Sequence, residues 1–252
     1  MKFDRQAFWK NPGAPANVDA YGENVISHCR PEFYLDLVNV TRLVVETLNK
    51  YASPEMHILE LGSGTGRNLA SLHQAGYKYL CGLEINQDAV NLGNATFPEF
   101  REIPVLVAPV EDAIANYIDF VKADVVFTQG LLMHLPPDQE WVIQEMAKKA
   151  RRLIITIEGE RPPSFHAWPH DYQKIIEAEG WQQVEAHSCE AYAPFPKTTI
   201  KRVFTRITPL PDPVETEEPE FVAPVLPPEY IDALDHAEFQ PPAKAKKTKK
   251  NM

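Results

Sequence analysis

Cysteine is scarce in this chain of 252 residues: three, at Cys29, Cys81 and Cys189, with no C-x-x-C pair among them. That excludes a disulfide framework and gives no zinc-ligand spacing, so the expected compartment is reducing. Positive charge is also short. Lys and Arg total 25 against 35 Asp and Glu, a net charge of -10. A general nucleic-acid binder needs a basic footprint, which this balance does not supply. The N-terminus, Met1-Lys2-Phe3-Asp4-Arg5, has no apolar signal run, and no stretch approaches the length of a membrane span. No internal repeat is visible. The expectation is a cytoplasmic protein with ample sequence for a full core.

One stretch organises the rest: His57-Ile-Leu-Glu60-Leu-Gly62-Ser63-Gly64-Thr65-Gly66. A short apolar run ends in an acid, three glycines alternate, and a helical pattern follows. This reads as buried strand, tight turn and helix start, where bare backbone and unpaired N–H groups can meet a ligand. The spacing is G-x-G-x-G. The dinucleotide fingerprint G-x-G-x-x-G would place its third glycine where Arg67 stands. A nucleotide-dependent oxidoreductase is thereby disfavoured. Close packing alone remains the bland reading of such a turn.

Around it, strands at 57–61, 79–85, 103–108, 123–128 and 151–157 alternate with helices at 65–75, 86–95, 111–119 and 137–150. Short Ile-, Leu- and Val-rich strands separated by helices predict a doubly wound parallel sheet with right-handed crossovers. Then 170–179 reads as a helix, and 181–188 and 199–207 as two consecutive strands. With no helix between them they should pair as a hairpin, setting one strand antiparallel to the rest. Upstream, Pro31 opens a helix through Phe33, Leu37, Val40, Val44 and Leu48 to Tyr51, and residues 3–30 read as an irregular aromatic arm or lid. Residues 211–240 contain no Lys or Arg, while 243–250 are mostly Lys. Such blocks cannot build a core, so 211–252 reads as a disordered tail, with 228–234 a candidate docking segment for a protein partner. The expected division is 1–52 arm and helix, 53–210 core, 211–252 tail.

Three motifs in order, Glu60 to Gly66, Gly82-Leu-Glu84-Ile85-Asn86, and Asp124 to Gln129-Gly130-Leu-Leu-Met-His134, resemble the class I S-adenosylmethionine-dependent methyltransferases. The span from about Trp9 to Arg206 is similar to small-molecule and sugar-pathway members, nearest to methylases associated with pseudaminic acid biosynthesis. The resemblance implies a Rossmann-like seven-stranded α/β sheet with its last strand antiparallel, and S-adenosyl-L-methionine as cofactor. It implies cofactor contacts at Glu60, Gly62, Ser63, Gly64, Gly66, Glu84, Ile85, Val110, Glu111, Gln129 and Gly130. Glu60 would accept from the ammonium, Glu84 from the ribose hydroxyls, Ile85 would pack on the adenine, and Glu111 or Asp112 would meet its edge. A surface acid at Glu84 and a helix cap at Asp112 are the alternatives.

Methyl transfer from a sulfonium is carried largely by positioning and desolvation, with a base needed only for a hydroxyl acceptor. His134 is the base candidate, against a packing or helix-start histidine. His166 and His170 are candidate substrate contacts. Trp9, Tyr21, His28 and Arg30 are candidate lid or substrate residues, Trp9 and Tyr21 equally readable as packing aromatics. The fourth strand is followed by neither an Asn/Asp-Pro-Pro-Tyr motif nor a Pro-Cys nucleophile, which argues against nucleic-acid methylation. The expected activity is in-line methyl transfer to a small-molecule or sugar-derived acceptor, with no metal. The alternative is a non-catalytic cofactor-binding protein docking a partner through its tail.

Overall fold

The computed structural model describes residues 4–12, 29–116, 122–160, 167–192 and 194–208. All lie in the unit Met1–Glu218. The expectations for Tyr21, His28, His166 and the tail therefore lie outside the described residues.

Seven strands form one sheet: β1 (His57–Leu61), β2 (Tyr79–Glu84), β3 (Val105–Val107), β4 (Val125–Gln129), β5 (Leu153–Gly159), β6 (Trp181–Ser188) and β7 (Thr199–Arg206). Their order is β3-β2-β1-β4-β5-β7-β6. The first five pair in parallel, and β7 inserts antiparallel between β5 and β6. The predicted sheet and hairpin are both present. The order reverses between β1 and β4, and in an open parallel sheet that is where a crevice opens at the strands' carboxyl ends.

The helices are α1 (Arg5–Lys10), α2 (Val38–Tyr51), α3 (Arg67–Gln74), α4 (Gln87–Thr96), α5 (Val110–Asn116), α6 (Trp141–Lys149) and α7 (Tyr172–Glu177). Leu43, Val44 and Leu48 of α2 are buried in one hydrophobic cluster with Ile58, Phe127 and Val203, and Val40 is buried too. Each such side chain stabilises the fold by roughly 1.5–3 kcal/mol relative to exposure. The opposite face of the sheet carries a second cluster, including Leu61, Val126, Ile143, Ile154 and Trp181.

Two expectations are corrected. The arm begins with a helix: Asp4 caps α1 by accepting from Ala7 N at 3.0 Å, and Phe8 is buried. The helix opened by Pro31 is not continuous. Pro31–Tyr34 forms a 3-10 turn, and α2 starts only at Val38. In a continuous α-helix Val38 N would bond the Tyr34 carbonyl. That carbonyl instead accepts from the Arg67 guanidinium, and Val38 N turns to Asp36 O at 2.8 Å.

Among the described residues no helix is long and apolar enough to cross a membrane.

Candidate functional site

At the crevice predicted by the strand order lies a cavity of about 680 Å³. The glycine turn forms its floor. Gly62 N and Ser63 N both donate to Leu83 O at the end of β2, at 2.8 and 2.9 Å, and Gly66 N donates to Ser63 O at 2.9 Å. Gly64 N donates to Glu84 Oε2 at 2.7 Å. These four N–H groups, expected to face a ligand, are thus engaged within the protein. The turn offers side chains and open space instead. Gly64 sits at φ +55°, with nothing within 4 Å of where a Cβ would be.

Gly66 does a different job. Its φ is +68°, and a Cβ there would fall 2.1 Å from the Phe100 ring. Gly66 does not line the cavity; it lets the start of α3 close onto Phe100.

Two buried carboxylates flank the turn. Glu84 is 9% exposed. Its Oε1 accepts from Asn86 N at 2.9 Å while Oε2 takes Gly64 N. Burial raises its pKa, and the bonds from Asn86, Gly64 and Ile85 oppose that. A carboxylate has about four acceptor positions, so each oxygen keeps capacity for a hydroxyl. Burial removes the surface-acid reading.

Glu60 is 1% exposed. Its Oε1 accepts from Asn68 Nδ2 at 2.7 Å, and its Oε2 has no hydrogen-bond partner. Burial pushes its pKa up to about 8, against the Asn68 bond and the nearby Arg67 charge. An orphaned buried acceptor lining a cavity is costly unless a donor arrives. The hydroxyls of Ser63 and Thr65 are likewise buried without partners.

Arg67 and Asn68, which the sequence reading passed over as site residues, tie this end together. Arg67 Nε donates to Thr41 Oγ1 at 2.5 Å, and its other nitrogens reach Tyr34 O and Asn68 Oδ1. Asn68 Nδ2 also donates to Gln129 Oε1 at 3.0 Å. Desolvation lowers the Arg67 pKa to about 10, against the pull of Glu60 and Tyr34. Arg67 was noticed as a departure from the dinucleotide spacing. Its partners at Tyr34 and Gln129 are distant in sequence, so no local pattern announced the network.

Most predicted cofactor positions converge on the cavity: Glu60, Gly62, Ser63, Gly64, Glu84, Ile85, Val110, Gln129 and Gly130 all line it. Glu111 does not. It is buried, ion-paired with Arg5 and accepting from Gln6 Nε2 at 3.4 Å. It fastens α1 to the core.

His134 lines the cavity from the 3-10 turn Leu132–His134. Its ring packs on Trp9 at 4.5 Å between centroids, and Trp9 lines the same space. Arg30 is exposed and lies outside the lining. His170 lies outside the lining: it is buried, with Nε2 bonded to Leu135 O at 2.8 Å and Nδ1 3.6 Å from Glu140. Phe33, Tyr34 and Phe195 complete an aromatic wall. Among the described residues no cluster of three or more His, Cys, Asp or Glu could hold a metal ion.

Residues 58–152 match a family model described as a methyltransferase domain. Magnesium protoporphyrin IX methyltransferase from Synechocystis PCC 6803, with bound S-adenosylmethionine, is similar at TM-score 0.55 and 18% identity, covering 81% of this chain and 98% of that one. A TehB-like S-adenosylmethionine-dependent methyltransferase from Corynebacterium glutamicum is similar at TM-score 0.53 and 18% identity, covering 70% and 97%. One from Archaeoglobus fulgidus gives TM-score 0.50 and 15% identity, covering 66% and 94%. At these identities the likeness is one of fold. The family match falls on the part of the chain that builds the glycine turn, Glu84 and Gln129. The sheet order and these likenesses give the chain the fold of the class I S-adenosylmethionine-dependent methyltransferases, and residues 58–152 match the methyltransferase-domain model.

Proposed function

We propose that this protein transfers a methyl group from S-adenosylmethionine to a small-molecule acceptor. One observation carries the cofactor reading: two buried carboxylates flank an open glycine turn, and Glu60 Oε2 is left without a donor. The amino-acid end of S-adenosylmethionine brings an ammonium, which suits that orphaned acceptor. The ribose brings a hydroxyl pair, which suits the remaining acceptor capacity of Glu84. Ile85 and Val110 offer apolar surface to the base, and Gln129 and Gly130 close the carboxyl edge of β4. Glu111 and Gly66 contribute from outside, by holding α1 and α3.

The bound cofactor supplies an activated methyl group on a sulfonium. The protein's own task is to exclude water and to align an acceptor, and well-oriented reactants gain much of the rate from that alone. Trp9 and His134 on one side and Phe33 and Phe195 among the aromatic walls enclose the space left for the acceptor. For a hydroxyl acceptor, His134, which lines this space, is the candidate to take the proton. We keep a small, sugar-derived acceptor as the finer reading, on the resemblance of the Trp9 segment and of Thr128-Gln129-Gly130 to sugar-pathway methylases. The fold itself hosts many acceptors. The non-catalytic alternative is not favoured, given the methyltransferase-domain match.

The test is formation of S-adenosylhomocysteine from S-adenosylmethionine in the presence of amino-sugar, sugar-acid and phenolic acceptors. Acceptor-dependent turnover supports the reading; binding of S-adenosylmethionine with no turnover across broad acceptor classes counts against it. If His134→Ala keeps full turnover on a hydroxyl acceptor, His134 is not the base.

A further inference from the structure

Glu158, one residue before the end of β5, is a third buried carboxylate, 1% exposed, and the cofactor reading does not use it. It does not line the cavity. Its Oε1 accepts from Thr128 Oγ1 at 2.8 Å and from Leu131 N at 3.2 Å, and its Oε2 accepts from Met133 N at 3.1 Å. Every one of these donors belongs to β4 or the turn after it. That turn presents Gly130, Leu131, Met133 and His134 to the cavity.

The backbone adds further anchors: Gly130 N donates to Ile157 O at 2.9 Å, Trp168 N to Met133 O at 2.8 Å, and His134 N back to Leu131 O at 2.9 Å. Gly130 is at φ +67°, so the chain reverses sharply where β4 ends. Two backbone N–H groups just beyond the reversal would be left buried or half-buried without acceptors if Glu158 were absent, a cost of roughly 1–3 kcal/mol each. Burying a carboxylate is expensive in itself. Here burial pushes its pKa up to about 7, against the bonds from Thr128 and from the backbone of 131–133. A neutral side chain could pack the same volume at lower cost. What a carboxylate adds is acceptors on two oxygens, enough to fix Leu131 and Met133 at once.

We propose that Glu158 is a positioning residue of the transfer site: it sets the turn 130–134 and through it the place of His134 against Trp9. It acts through the turn and touches neither cofactor nor acceptor. The proposal rests on the methyl-transfer reading for its purpose, but its geometry is testable on the free protein.

The experiment follows the His134 imidazole by NMR titration in the full chain, beside amide hydrogen exchange at Leu131 and Met133. In Glu158→Gln an amide nitrogen replaces one oxygen, so one of the two N–H groups must face a donor. The expected result is exchange at Leu131 or Met133 faster by about tenfold, the loss of one hydrogen bond, with exchange at Gly62–Gly66 unchanged. The His134 titration midpoint should differ measurably from that of the wild type. Thr128→Val removes one donor and leaves the carboxylate, so it should shift His134 in the same direction by less, and it serves if Glu158→Gln does not fold. A folded variant with wild-type His134 titration and wild-type exchange at 131 and 133 overturns the proposal. S-adenosylmethionine affinity, measured separately, should fall less than in Glu84→Ala, since the turn carries Gly130 and Leu131 of the cavity lining while Glu60 and Glu84 are untouched. Failure of the cofactor to bind even the wild type would sink the methyl-transfer reading while leaving the His134 result to stand or fall alone.

Discussion

Gly64 N donates to Glu84 Oε2 at 2.7 Å, joining the tip of the glycine turn to the acid at the end of the neighbouring strand. The bond makes the two motifs one unit, although they are separated by a full helix. Glu84→Ala removes the acceptor of both Gly64 N and Asn86 N. It should weaken S-adenosylmethionine binding by roughly 1–3 kcal/mol, the cost of leaving hydroxyls unpaired, and lower the melting temperature as well. Calorimetry and thermal denaturation check the two effects; unchanged affinity would mean the ribose acid lies elsewhere.

Glu60 should make cofactor binding proton-linked. Its folded pKa is raised to about 8, so near neutral pH the free site holds a proton. An ammonium placed against Oε2 favours the charged form and lowers that pKa. Binding should therefore release a proton between about pH 6 and 8, and affinity should rise with pH through that range. Calorimetry in buffers of different ionisation enthalpy measures the released proton directly, and Glu60→Gln should abolish it. The same raised pKa has a stability consequence. The folded state retains a proton that the unfolded chain loses near pH 4.5, so this contribution to stability falls as pH rises from about 4.5 to 8.

The glycines at 64 and 66 should separate binding from folding. Gly66→Ala meets both a left-handed φ and the Phe100 ring. Overpacking of this kind typically costs about 1–3 kcal/mol, and the backbone adds to it. Gly64→Ala has free space but the same kind of φ, so it should cost about 1–2 kcal/mol in stability while narrowing the floor of the cavity. The expected ratio is a large loss of melting temperature for Gly66→Ala, and for Gly64→Ala a smaller one accompanied by loss of cofactor affinity.

Glu185 on β6 should govern acid stability. Burial alone would raise its pKa, but hydrogen bonds from Lys201, Lys50 and Tyr51 outweigh it and hold the carboxyl at about 2. Lys50 Nζ and Tyr51 Oη each lie 2.6 Å from Oε2, tying α2 to the hairpin. A depressed folded pKa stabilises above the unfolded value near 4.5 and is lost as pH falls toward 2. Glu185→Ala should flatten the melting-temperature profile over that window and change it little above it in slope. A domain of this size loses about 2–4 °C for each kcal/mol.

Much of this site was legible along the chain. Strands 57–61 and 181–188 match their expected bounds, the first marked by an apolar run ahead of Gly62 and the second by Gly180 just before it. Glu60, Glu84 and Gln129 lie at or one residue before the carboxyl ends of β1, β2 and β4, and the resemblance singled them out. What was not legible depends on distant partners. Arg67 breaks the Pro31 helix from 33 positions away by taking the Tyr34 carbonyl. Helix α1 is held by Glu111 and by Trp9 on His134, and its one local signal was the Asp4 cap. The predicted run 137–150 is divided between a 3-10 turn at Pro137–Gln139 and α6, since Pro136 and Pro137 start the turn before helical bonding is established. The N–H groups of Gly62, Ser63 and Gly64 are taken by Leu83 O and Glu84, and acceptors on a parallel neighbour are invisible to a motif.

The central claim is that two buried acids and the open glycine turn hold S-adenosylmethionine. Calorimetric titration of the full chain with S-adenosylmethionine, and separately with NAD, tests it most directly. Saturable binding of S-adenosylmethionine with proton release, weakened in Glu84→Ala and without measurable NAD binding, is the predicted result. No binding of S-adenosylmethionine, or binding of NAD in its place, would contradict it.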